Sequence, residues 1–169
     1  MSDRDREFTR YVEARGSALL RTAVFLCAGD RSAAEDLVQS ALVRAYVTWH
    51  RVRDEGARHS YVRRIMARES CRRPAPSLPV LGEPSLVDPH GPAEDRLDLL
   101  PLLAALPRQQ RAVVVLRYYE DLSEREIADA LGCSPGSVKR HASRALATLR
   151  VRLGGPVPLE GGTDHGHRD

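Results

Sequence analysis

Between Asp129 and Glu160 the chain has no carboxylate at all, although it carries Lys139, Arg140, Arg144, Arg150 and Arg152 there. Lysine is nearly absent too. Lys139 is the only one, every other cation being Arg, a bias that a GC-rich coding sequence explains without any function. Cysteine is scarce: Cys27, Cys71 and Cys133 lie far apart with no C-x-x-C spacing. No disulfide framework or zinc site follows from them, and a reducing cytosol is the natural compartment. Cys27 sits on an apolar run and reads as core. No His lies close to any of the three in sequence, which argues against a catalytic thiol. His165 and His167, in a Gly-rich tail, are too thin a pair for a metal site, so no cofactor or metal is expected. No apolar run approaches the length of a membrane span, and MSDRDREFTR is too charged for a secretory signal. The expectation is a cytoplasmic protein with no membrane insertion. Alternating strand patterns and internal repeats are also missing, which leaves an all-α reading.

The acid-free window opens inside LSEREIADALGCSPGSVKRHASRALATLR, Leu122 to Arg150. Ser123 and Glu126 form an S-x-x-E capping box that starts one helix by satisfying free backbone N–H groups. Ile127, Ala128 and Leu131 give that helix an apolar side, and Gly132 can adopt the left-handed conformation that ends it. Ser134 then makes a good N-cap, with Pro135 at the first helical position, where its missing N–H costs nothing. The second helix sets Val138, Ala142, Ala145, Leu149 and Leu153 along one side. Lys139, Arg140, Ser143 and Arg144 fall on the other. A helix, a short turn and a second helix with a basic outer face suit the major groove of DNA. A surface helix with merely solvated charges is the plainer alternative.

Charge divides the chain. Residues 1–73 hold 15 Arg against 10 acids, and residues 94–153 hold 10 basic against 8 acidic side chains. Between them, PAPSLPVLGEPSLVDPHGPA (74–93) holds six of the 11 prolines and reads as an extended linker. The Gly-rich stretch 154–169 reads as a disordered tail. In the first block a helix near Asp5–Arg15 precedes, after Gly16, a second that ends at Ala28-Gly29. A third opens on a Ser32–Glu35 box and carries the stripe Ala34, Leu37, Val38, Ala41, Ala45 and Trp49. A fourth, from about Arg58 to Arg73, bears Arg63, Arg64, Arg68, Arg72 and Arg73 with Tyr61 among them. Cations around an aromatic platform suit opened DNA, where bases stack on a ring; a solvated face with Tyr61 in the core is the alternative. In the second block Pro101 should split the stretch Leu97–Leu106 into two short helices. Pro107 then opens a helix reaching about Tyr119.

AEDLVQSALVRAY (Ala34–Tyr46), followed by Trp49, resembles the region-2 helix of bacterial RNA polymerase sigma factors. Leu106–Arg150 resembles their region 4. The order, the short linker and the missing region 3 match the extracytoplasmic-function (ECF) group. The resemblance implies two small helical domains, residues 1–73 and 94–153, and no catalysis of the chain's own. It implies that core RNA polymerase and promoter DNA are the partners. An anti-sigma factor is a further candidate, one that would leave no motif in this sequence. Asp36, Gln39, Leu42 and Tyr46 would dock the polymerase clamp. The loop Arg51–Ala57, with Tyr61, Arg63, Arg64 and Arg68, would meet the opened −10 strand, and Lys139, Arg140, Ser143 and Arg144 would read the −35 duplex. Glu69, Ser70 and Cys71 depart from the Asn and aromatic residues common there among relatives. A stand-alone helix–turn–helix regulator is the rival reading, but it leaves the AEDLVQ helix and the basic fourth helix without a role. A thiol enzyme is a third, and no substrate pocket can be read to support it.

Overall fold

The computed structural model describes residues 2–52, 54–72 and 93–154, with side chains described from Leu99 onward in the second block. The linker and tail expected at 74–93 and 154–169 lie almost wholly outside these residues. The described residues form seven α-helices and no strand.

Helix α1 (Asp3–Leu26) is capped by a Ser2–Asp5 box and runs unbroken through Gly16, where two helices were expected. A mid-helix glycine costs about 1 kcal/mol. Burial of Tyr11, Leu19, Ala23, Val24 and Leu26 on the same helix outweighs that. Helix α2 (Arg31–Val47) starts differently from expectation as well. Asp30 is the cap and accepts from Ala33 N at 2.9 Å, while Glu35 pairs with Arg31 at 2.8 Å instead of closing a box on Ser32. A 3₁₀ turn, Trp49–Arg51, leads toward α3 (Glu55–Arg72), whose start is held by the Asp54 side chain on Ala57 N at 2.7 Å.

Helix α4 (Ala93–Ala104) also continues where a break was expected. Pro101 removes its own N–H but still accepts from Ala105 N at 3.2 Å, and buried Leu103 and Leu106 anchor the end. Helix α5 (Arg108–Val114) passes into a wider π-type turn, Val115–Tyr119. The helix–turn–helix is as the sequence pattern predicts. Helix α6 (Glu124–Leu131) has the reciprocal Ser123–Glu126 box and ends at Gly132 with φ +69°; helix α7 (Pro135–Arg152) is capped by Ser134. Leu153 leaves the expected stripe: it is the C-cap beyond the last turn of α7 and is 70% exposed.

Four of the eight aromatic residues, Phe8, Tyr11, Tyr46 and Trp49, meet in one cluster. Phe8 and Tyr11 pack their rings on buried Trp49 at 5.0 and 4.9 Å, and the Arg58 guanidinium lies 4.8 Å from the Trp49 ring centre. This cluster fixes α1 on α2 and α3. The core does not stop at the linker. Leu19, Leu37, Val62 and Met66 are continuous with Leu103, Leu106, Val115 and Ala145. In a second cluster Ala67 of α3 is fully buried among Val113, Leu116, Ile127 and Val138. The two halves therefore meet through apolar surface.

Gly132 occupies the left-handed region and a β-carbon there would meet the Arg68 guanidinium at 3.5 Å. Gly132→Ala should lower stability by about 1 kcal/mol or more, read from the urea midpoint, without loss of helix content.

Candidate nucleic-acid interface

Helix α7 presents the predicted basic face intact. Lys139, Arg140, Ser143 and Arg144 are all exposed, with Val138, Ala142 and Ala145 buried behind them. The Ser134 and Pro135 start orients the first turn, and Arg140 Nη2 donates to Ser137 Oγ at 3.1 Å. Lys139 lies 3.7 Å from Glu124, which also accepts from Arg117 at 3.1 Å. Such an exposed pair contributes little to stability. His141, on the same helix, has its pKa lowered first by burial and then by Arg140 and Arg144. Beside this face lies an open groove of about 270 Å³ lined by Arg117, Tyr118, Lys139 and Arg150 among others.

The second predicted DNA face, on α3, is engaged elsewhere. Arg63 donates to Glu120 Oε2 at 2.6 Å, the two side chains being 16% and 13% exposed. Glu120 also accepts from the Thr22 hydroxyl of α1. Arg68 reaches across to the end of α6, Nε to Ala130 O at 2.8 Å and Nη2 to Asp129 O at 2.9 Å. Tyr61 is half-buried against the core with its hydroxyl 3.2 Å from Thr48 Oγ1. Of the four residues expected on opened DNA, only Arg64 is exposed. Glu69, the departure from the family pattern, is buried and pairs with Arg44 of α2 at 2.8 Å, so it ties α3 to α2. Arg53, in the expected −10 loop, lies outside the described residues.

The α2 residues split in the same way. Asp36 and Gln39 are exposed, whereas Leu42 packs against the core and Tyr46 is half-buried. Tyr46 donates to Asp5, accepts from Arg4 at 2.8 Å and stacks edge-on with Phe8 at 5.0 Å. What joins Asp36 and Gln39 on the outer face are Val43 and Val47, 63% and 65% exposed. The sequence reading passed over both. The signal was available, since their α-helical spacing from Asp36 (i+7, i+11) and Gln39 (i+4, i+8) places all four on one side. No group of His, Cys, Asp and Glu able to hold a metal occurs among the described residues.

Two family patterns match the chain: Sigma-70 region 2 over residues 11–73 and Sigma-70 region 4 over residues 96–149. RNA polymerase sigma-E factors of Streptomyces avermitilis and Streptomyces coelicolor are each 40% identical over 156 residues, covering 87% of this chain and 85% and 86% of theirs. The ECF RNA polymerase sigma factor SigL of Mycobacterium tuberculosis is 35% identical over 74% of this chain and 77% of its own. Among solved structures, CnrH in complex with the cytosolic domain of CnrY matches with a TM-score of 0.61 over 89% of both chains, at 24% identity.

The Tyr46 hydrogen bond, followed by those from Ser2, lowers the Asp5 pKa from 3.8 to about 2. A carboxylate depressed in the fold contributes stability above its unfolded pKa and loses it as pH falls through the folded value. The contact between α1 and α2 at Asp5 should therefore persist above pH 3.8 and loosen toward pH 2. Tyr46→Phe should return the Asp5 carboxyl titration, followed by carbon NMR, toward 3.8.

Proposed function

Because the chain belongs to the sigma-70 family, as a sigma factor of the ECF group that directs transcription initiation, we propose that three faces divide that task among them. Helix α7 reads the −35 duplex through Lys139, Arg140, Ser143 and Arg144. This reading rests above all on one observation: a capped, acid-free helix exposes these four side chains together over a buried apolar stripe. Arg and Lys forks match the edges of guanine in the major groove, and Ser contacts either base type.

Helix α3 meets the opened −10 strand through Arg63, Arg64 and Arg68, with Tyr61 beneath them. The polymerase clamp is met by the outer face of α2. There Asp36 and Gln39 supply polar contacts and Val43 and Val47 the apolar centre, as an interface needs. Leu42 and Tyr46 support that face from within. The polymerase performs nucleotidyl transfer, and this chain contributes no catalytic group. Its place is the cytoplasm, beside polymerase and promoter; none of its described helices is long and apolar enough to cross a membrane. An anti-sigma factor is a further proposed partner, and the similar CnrH was solved with a protein bound, the cytosolic domain of CnrY.

Arg140→Ala or Arg144→Ala should weaken binding to a cognate −35 duplex by about 1–3 kcal/mol each where the side chain grips a base in two places. Undiminished promoter use by both would remove the face from the account. Val43→Asp, or Asp36→Ala with Gln39→Ala, should lower affinity for core polymerase in a titration while −35 binding stays unchanged. Equal loss of both activities would signal misfolding and leave the α2 assignment unsupported.

A further inference from the structure

We infer that Glu69 of α3 is a positioning residue for polymerase docking: it holds Arg44 ready at the edge of the outer α2 face. The inference rests on the reading of that face as the one that meets the clamp. Arg44 Nε lies 2.8 Å from Glu69 Oε1, across the packed surfaces of α2 and α3. The two side chains differ sharply in exposure, 61% for Arg44 and 10% for Glu69. The anion is thus fixed inside the fold, and the cation is presented outside it. On the surface of α2 the residues one turn before Val47 are Val43 and Arg44, at i−4 and i−3. A guanidinium therefore borders the exposed valine pair on the side nearest α3, while Asp36 and Gln39 extend the face toward the start of the helix.

Stability does not account for a carboxylate at this point. Burying one costs free energy that a half-exposed partner recovers only in part, and a neutral side chain of the same shape serves a fold as well or better. Glu69 Oε1 is buried and lacks a well-aligned hydrogen bond, so its contact with Arg44 is one of charge. What the carboxylate does supply is a fixed point for a long side chain. A free arginine samples many rotamers and loses them on docking, which weakens binding about threefold to tenfold. Held by Glu69, Arg44 has already lost that freedom in the unbound protein. With Nε committed to Glu69, the terminal nitrogens of the fork keep their donors for a carboxylate or carbonyl at the rim of the clamp.

The test is a double-mutant cycle on the full-length chain, read as affinity for core polymerase by titration and as thermal midpoint by circular dichroism. Glu69→Gln keeps the shape and removes the charge. It should weaken polymerase binding about threefold to tenfold, with the midpoint unchanged or raised. Arg44→Ala should weaken binding at least as much and lower the midpoint, because it strands a buried carboxylate. Adding Glu69→Gln to Arg44→Ala should restore the midpoint and change affinity no further. A purely structural or long-range charge effect of Glu69 persists without Arg44, so equal weakening in both backgrounds would overturn the proposal. A Glu69→Gln chain that binds like wild type does so too. Should Glu69→Gln lower the midpoint instead, Arg44→Lys decides: it keeps the charge but not the planar fork, and unchanged affinity would count against the positioning role. Val43→Asp, measured beside the cycle, separates this inference from the reading beneath it. Loss with Val43→Asp but none with Glu69→Gln removes the positioning role alone; no loss with any of these variants removes the α2 face as well.

Discussion

Everything in this fold depends on how α3 is shared. One side of the helix, through Val62, Met66 and Glu69, belongs to the first half, and Ala67 belongs to the apolar cluster of the second. A small side chain at that point lets α5 and α6 approach, and the arginines flanking it find partners on the approaching elements. Apolar contact supplies the bulk of the attraction. The charged groups help to fix the register, Arg63 on the Glu120 carboxylate and Arg68 on the Ala130 and Asp129 carbonyls.

Helix ends supply those acceptors. Helices α1, α4 and α6 have no basic residue in their last turns, so their terminal carbonyls lack a cation of their own. Arginines from other elements fill the gap. Arg68 serves α6, while Arg111 donates to Leu26 O of α1 at 3.2 Å and to Leu103 O and Leu106 O at the end of α4 at 2.9 and 3.1 Å. Burial lowers the Arg111 pKa, yet guanidinium remains charged at any physiological pH. A lysine could not span three carbonyls with one planar fork. The abundance of arginine thus has a structural use whatever its origin in the coding sequence.

Local chemistry was legible in advance, and long-range pairing was not. Ser123 with Glu126, Gly132, and Ser134 with Pro135 act on backbone groups a few residues away, so each could be assigned from spacing alone. The exposed set on α7 followed from period. Competition between neighbours caused the misses. Asp30 took the cap expected of Ser32, and packing on both sides of Gly16 and Pro101 outweighed their local cost. Leu42 and Tyr46 match the family positions, but the structure turns them inward and leaves Val43 and Val47 outside. The pairing of Arg63 with Glu120 joins residues 57 apart in sequence, and no local signal announces it.

In this sigma factor the basic helix α3 is also the one that joins the two halves, through Arg63, Ala67 and Arg68. The family assignment itself stands on both matched regions; the division of faces proposed for it gives α7 the −35 duplex and α2 the polymerase clamp. The most direct measurement is reconstituted transcription: core polymerase with this chain on fragmented genomic DNA, with every transcript start mapped. The account predicts starts that depend on the chain and share one pair of −35 and −10 sequences. Starts unchanged by adding the chain, or chain-dependent starts sharing no upstream sequence, would contradict it.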